Sequence, residues 1–376
     1  MNLNKLERLF VAAILALVGE VAWADYQLNI PVGPTETSRV IYDFHMYAIW
    51  VCVGIAVVVF GVMFYSIINH RKSRHPVPAK FHENMTLEVV WTVIPVLILI
   101  GLAVPSTKAL IEIEDTSGAE MDIKITGYQW KWHYEYPQEG IAFFSSLDEA
   151  SNRARQLDSG IDPRTVPNYL LNVDHPLVVP VNTKIRFLIT GADVIHAWWV
   201  PAFGWKKDAI PGFVTTAWVE VEKPGVYRGQ CAELCGRDHG YMPIVVKAVT
   251  KEEYRDWVAE QKQKLAGSQA AAQEWNLQVA MERGREAYNA HCASCHQADG
   301  SGVPGTFPAL AGSPVATGDV DAMIEIVLEG KGAMPAFGRD ENIRNEDLAA
   351  VITYVRNAFG NDIGDVVTPE DIADAR

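Results

Sequence analysis

The sequence predicts a multidomain membrane chain: a two-helix transmembrane hairpin, then a β-sandwich, then a small all-α domain. Three observations predict it. Two charge-free apolar runs lie close together early in the chain. Short segments of alternating hydrophobicity fill the middle. A helical pattern surrounds a Cys-x-x-Cys-His run towards the end. The 376 residues allow two or three domains. With 49% apolar residues the chain is not disordered, and a formal charge of −14 excludes the basic stripe of a nucleic-acid binder.

Residues 1–24 read as a secretory signal. Lys5 and Arg8 precede the apolar run from Leu9 to Val18, and Ala22-Trp23-Ala24 is a small-x-small cleavage site. Residues 25–110 hold a polar tail and the hairpin. Its helices are expected over 46–68 and 89–107, charge-free runs of 23 and 19 residues. The intervening loop carries Arg71, Lys72, Arg74 and Lys80 against Glu83, whereas Glu112, Glu114, Asp115 and Glu120 follow the second run. The positive-inside rule then puts the loop in the cytoplasm and both termini outside. A two-pass chain of the bacterial inner membrane is expected, its domains in the periplasm. Glu88 stands just before the apolar part of the second helix, where an ionisable group is costly unless it snorkels or serves a path.

From 111 to 250 short strands replace helices. Ile123, Ile125 and the run Tyr128 to Tyr136 open the pattern. Ile185, Phe187 and Ile189 alternate with Arg186 and Leu188. Ala217, Val219 and Val221 alternate with Trp218 and Glu220. Breaks such as Lys223-Pro-Gly225 separate the segments, so an antiparallel sandwich is expected. Near its end stands Cys231-Ala-Glu233-Leu-Cys235-Gly-Arg-Asp-His239-Gly-Tyr-Met242, with two thiols, an imidazole and a thioether inside twelve residues. These soft ligands suit copper. His196 is the candidate for a second imidazole. A Cys231–Cys235 disulfide, a zinc site and a redox dithiol are alternatives, and none of them uses both Met242 and His196.

This run, with Val194-Ile-His196 and Gly127-Tyr-Gln-Trp130-Lys-Trp132 upstream, resembles subunit II of cytochrome c oxidase over about residues 25–250. The resemblance implies a Greek-key cupredoxin sandwich with the binuclear copper centre CuA. Its ligands would be His196, Cys231, Cys235, His239, Met242 and the backbone carbonyl of Glu233. It implies that the Glu233 side chain helps bind magnesium or manganese against subunit I. It makes Trp130 the aromatic through which electrons enter and Glu88 the mouth of a proton path. Tyr128 stands where many relatives have histidine. Trp130 as a core residue and Glu88 as a solvated acid are the plain alternatives.

Residues 251–276 read as a helical polar linker. In 277–360, Cys292-Ala-Ser-Cys295-His296 is the attachment signature of a c-type haem. The thiols would form thioethers and His296 would bind iron. Met334, in Gly330-Lys-Gly-Ala-Met334-Pro335, is the candidate sixth ligand, and Met323 sits at helical core spacing. Histidine–methionine ligation suits electron transfer. The domain resembles a class I cytochrome c. Residues 361–376 form an acidic tail. From Leu277 onward sixteen acids face seven bases, which would steer a basic donor or simply solvate the surface.

The whole resembles the caa-type oxidases, in which a cytochrome c domain is fused to subunit II. The resemblance implies electron relay from a periplasmic cytochrome c or another donor, through haem c and CuA, to subunit I. There oxygen would be reduced to water and protons pumped. The two membrane runs hold no histidine cluster, so subunit I is an obligatory partner, with subunit III expected beside it. A soluble CuA reductase and a copper-delivery protein are the competing classes.

Overall fold

The computed structural model describes residues 29–157, 159–272, 275–340 and 342–376; the expected signal, 1–24, lies outside them. Two long helices open the described chain, α1 (Glu36–Asn69) and α2 (Met85–Glu114). Both overrun the charge-free segments because polar caps start them early. The Thr35 hydroxyl accepts from Ser38 N–H at 3.0 Å, and the Asn84 side chain accepts from Leu87 N–H at 3.1 Å. The added turns grip the next domain. Thr35 Oγ1 donates to Phe203 O, Arg39 pairs with Glu222, and Glu114 pairs with Lys207. The apolar flanks of both helices, such as Val57, Phe64, Trp91 and Leu99, are exposed. Two helices of this length and apolarity are consistent with a two-pass membrane chain.

Among the described residues ten strands follow: β1 (Met121–Tyr128), β2 (Lys131–Tyr136), β3 (Ile141–Ser145), β4 (Leu177–Pro180), β5 (Ile185–Gly191), β6 (His196–Trp199), β7 (Lys206–Ala209), β8 (Thr215–Val219), β9 (Gly225–Cys231) and β10 (Pro243–Val249). Helix α3 (Glu149–Ala154) interrupts them between β3 and β4. They form two five-stranded sheets, β3-β2-β1-β5-β8 and β4-β10-β9-β6-β7. The sandwich is mixed rather than antiparallel throughout: β1 runs parallel to β5, and β10 parallel to β4. Both pairs join strands separated by long stretches of chain, which parallel pairing requires.

The core between the sheets is aromatic. Trp132, Tyr134, Tyr136, Phe187, Trp198 and Phe203 are fully buried. Tyr136 ties the sheets together, its hydroxyl donating to Val178 O and accepting from Val178 N–H. Helix α4 (Lys251–Ala272) occupies the segment expected as a linker. Its first half packs on the sandwich: Tyr254 and Val258 are buried, and Trp257 lies 5.2 Å from Tyr136. The polar composition concealed a short apolar stripe.

The last domain is all helical, with α5 (Leu277–His291), α6 (Ala293–His296), α7 (Val320–Glu329), α8 (Asn345–Asn357) and α9 (Pro369–Ala375). Helices α5 and α8 cross at Gly284, where an added Cβ would meet Ala350 O at 2.2 Å. The expected acidic tail contributes to this domain's core. Val367 and Ile372 are buried, and buried Arg356 bonds Asp365, Ala316 O and Gly318 O. One of the tail's acids therefore neutralises a buried guanidinium.

Candidate metal centres

The copper-type ligands converge at one end of the sandwich. Strand β9 ends in Cys231, β6 begins with His196, and the loop into β10 supplies Cys235, His239 and Met242. The Cys231 and Cys235 sulfurs lie 3.8 Å apart. His196 Nδ1 stands 3.9 Å from the first, and His239 Nδ1 stands 3.4 Å from the second. Met242 is buried in the same cluster as both cysteines. The Cys231 thiol lies 3.4 Å from the Glu233 carbonyl, while the Glu233 side chain is exposed. Both cysteines are free.

The donors fit a metal on electrostatic grounds. Hydrogen bonding from Cys235 holds the Cys231 thiol far below its usual range, at about 3. Hydrogen bonding to Cys231, together with burial, pushes Cys235 well above it. The pair thus keeps one proton between two buried sulfurs. A cation between the sulfurs, as copper would provide, favours the thiolate form of both.

Side chains remote in sequence hold these donors in place. Asp193 Oδ1 lies 2.8 Å from His196 Nε2, leaving Nδ1 to face the sulfurs. Its other oxygen accepts from Gln129 N–H at 2.7 Å. An acid three residues before a ligand histidine was the available signal, since such carboxylates commonly orient metal-binding imidazoles. The His196 ring also leaves no space at Gly127, where a Cβ would stand 2.8 Å from it. Trp130 is half-buried beside the loop, its indole N–H directed at Cys235 O. Under the loop, Asp238 is buried against Arg155 at 3.1 Å.

The haem-type residues assemble in the helical domain. Cys292 caps α5, and α6 carries Cys295 and His296. His296 Nδ1 lies 2.9 Å from Pro308 O, which leaves Nε2 for iron. Burial lowers the His296 pKa, favouring the neutral imidazole that iron needs. Beside it an open cleft of about 390 Å³ is lined by residues 304–309 and Ser301. Met334 is half-buried in the domain's apolar cluster, and Met323 is buried on α7 as a core residue. These residues fit a covalently attached haem. Glu88 is separate from both centres. It sits in the first turn of α2, roughly 40 Å by helix rise from the end that meets the sandwich.

The two centres face each other. Arg237, from the Cys231–Met242 loop, donates to Ser294 O between the haem-type cysteines at 2.9 Å. Lys131 donates to Ala290 O at 2.9 Å.

Comparison with known proteins agrees with this division. Residues 121–249 match the family model for the periplasmic domain of cytochrome c oxidase subunit II, and residues 23–109 match its transmembrane domain. Residues 279–355 match cytochrome c oxidase, cbb3-type, subunit III. The chain is 38% identical over 259 residues to a probable cytochrome c oxidase subunit 2 of Rickettsia bellii, covering 66% of this chain and 93% of the relative. Over 213 residues it is 38% identical to cytochrome c oxidase subunit 2 of Cereibacter sphaeroides, covering 54% and 70%. The crystal structure of the periplasmic domain of subunit II of cytochrome oxidase from Bradyrhizobium japonicum shares 43% identity, covering 40% of this chain and 98% of that one, with a TM-score of 0.34. The subunit II domain implies copper, and the cytochrome c domain implies haem.

Proposed function

Because this chain belongs to the cytochrome c oxidase subunit II family, we propose that it is the electron-accepting subunit of a caa-type haem–copper oxidase, with its own cytochrome c domain fused behind the copper domain. The observation that carries this reading is the Arg237–Ser294 bond, which joins the candidate copper loop to the helical turn between the candidate haem-anchoring cysteines.

His196, Cys231, Cys235, His239, Met242 and the Glu233 carbonyl would hold the two coppers of CuA. Cys292 and Cys295 would anchor haem c, and His296 and Met334 would bind its iron. When bound, the two groups supply one-electron carriers between a periplasmic donor and the haem of subunit I, where oxygen is reduced to water with proton translocation.

The chain's own residues position that chemistry. Asp193 fixes the tautomer and orientation of His196. The aromatic walls around Trp132 and Trp198 keep water from the sulfurs. Trp130 reaches Cys235 O from the side covered by the haem domain, so electrons arriving there come from that domain. The exposed Glu233 carboxylate would help bind a magnesium or manganese ion shared with subunit I. Glu88 would open a proton path with the same partner. Subunit I is obligatory and subunit III expected. The hairpin crosses the bacterial inner membrane twice, its loop cytoplasmic and both termini periplasmic.

The test is spectroscopic. The purified oxidase should show a c-type haem band and the electron paramagnetic signal of a mixed-valence copper pair. A lone copper or zinc without that signal would sink the CuA assignment and favour a metal-delivery protein. Met334→Leu should keep the haem attached and lower its potential; an unchanged potential would point to another axial ligand.

A further inference from the structure

Two cationic side chains of the copper-binding domain end on backbone carbonyls of the haem-attachment segment. Lys131 opens β2, directly after Trp130, and is buried. Its ammonium donates to Ala290 O at 2.9 Å, lies 2.5 Å from His291 Nδ1 and sits 4.5 Å above the Phe144 ring. Ala290 is in the last turn of α5, where carbonyls lack helical partners and the helix dipole favours a cation. Burial holds His291 well below the usual histidine range, so its Nδ1 is free to accept.

Arg237 follows Cys235 by two residues. One nitrogen donates to Ser294 O at 2.9 Å, and the guanidinium stacks 4.6 Å over Phe307 of the haem domain. Its Nε donates to Asp238, which Arg155 holds from below. The two arms bracket Cys292, and both arise beside Cys235: Trp130 next to Lys131 donates to the Cys235 carbonyl. A third contact, Asn342 to the Tyr128 hydroxyl at 2.8 Å, steadies the far side.

We infer that Lys131 and Arg237 are positioning residues that clamp the haem-attachment segment onto the copper-binding loop and so set the separation of the two centres. A buried ammonium is tolerated only when it is well bonded, and the Lys131 ammonium bonds Ala290 O and His291 Nδ1 of the haem domain. The chain therefore invests a desolvated charge in domain docking rather than in the sandwich. Arg237 adds one hydrogen bond from its guanidinium, on the residue two positions after Cys235, to the carbonyl next to Cys295, so it holds the two segments together. The inference rests on the relay proposed above. It adds that the tethered domain works from one docked position, not by diffusing on its linker.

The experiment uses the full chain in the assembled oxidase, with Lys131→Met, Arg237→Gln and the double variant. Lys124→Met serves as control, because among the described residues Lys124 pairs with Glu135 of its own sheet. Two readings are taken: backbone hydrogen exchange over residues 290–296, and the rate of electron passage from flash-reduced haem to copper. Each single variant should speed exchange and slow transfer by about tenfold or more, with the haem band and copper signal intact. The control should match the wild type. Exchange and transfer within twofold of wild type in the double variant would overturn the clamp. If Arg237→Gln disturbs copper loading, Lys131→Met decides, since it lies outside both metal loops. A wild-type chain lacking the copper-pair signal would refute the relay instead, and exchange alone would then judge the docking.

Discussion

The indole N–H of Trp130 donates to the backbone carbonyl of Cys235 at 3.2 Å. Gln129 Nε2 donates to the same oxygen at 2.8 Å. An aromatic ring is thereby joined to the chain that carries a copper-type thiol, on the face that meets the haem domain. In this position the ring steadies the loop, and the proposed relay would use it as the aromatic through which electrons enter.

Trp130→Phe keeps an aromatic ring and removes the N–H. The lost hydrogen bond should cost about 1 kcal/mol of stability, because Gln129 still satisfies the carbonyl. Haem-to-copper transfer should slow while the copper signal keeps its shape. Flash reduction of the haem reads the rate, and an unaltered rate would assign Trp130 to packing alone.

Asp193 orients His196 from a distance of 2.8 Å and also satisfies the Gln129 amide. Asp193→Ala should weaken copper retention by about 10–100-fold, the usual effect of removing the partner of a ligand histidine. Asp193→Asn, which keeps a hydrogen-bonding side chain, should fall between. Competition against a calibrated chelator measures both, and equal retention in all three proteins would refute the orienting role.

Gly284→Ala forces a methyl group against Ala350 O, 2.2 Å from the ideal Cβ position. Helices α5 and α8 must separate, at a cost of roughly 1–3 kcal/mol. The melting of the haem domain should shift downward, read in the haem band. The sandwich, followed by far-ultraviolet dichroism, should melt as before.

Glu135 predicts an acid dependence for the sandwich. The His133 imidazole 3.4 Å away and the ion pair with Lys124 hold its carboxyl at about 2, below the usual 4.5. The folded state therefore binds this proton less tightly than the unfolded state does. Its stabilisation is complete above 4.5 and disappears as pH falls through about 2. Glu135→Gln should remove that part of the slope in denaturant titrations across this window; an identical slope would place the acid sensitivity elsewhere.

Much of the molecule is legible in the amino-acid order. Charge-free runs mark the hairpin, alternation marks the strands, and the two cysteine motifs mark the two centres. Each of these signals is local. The copper-type donors from Cys231 to Met242 lie on one loop, and Cys292, Cys295 and His296 share little more than one helical turn. Local spacing therefore groups these donors, whereas His196 and Met334 come from outside the two motifs. Helix α4 was partly illegible because its buried face is only Tyr254, Trp257 and Val258 within a polar stretch. The acidic tail was illegible because Arg356, which needs Asp365, is identified as buried only once α8 is packed.

What the sequence by itself determined is the fold class of each part and the candidate donor residues within it. The tertiary structure alone decided how those donors are held and how the centres face one another. Asp193 could be suspected from its spacing to His196, but Pro308 O behind His296, Arg155 under Asp238, and Lys131 on Ala290 depend on how the chain closes. The Lys131 and Arg237 contacts join residues 159 and 57 positions apart. No periodicity records such pairs. They arise when two separately folded surfaces come together and a buried cation finds the unpartnered carbonyls at the end of another domain's helix.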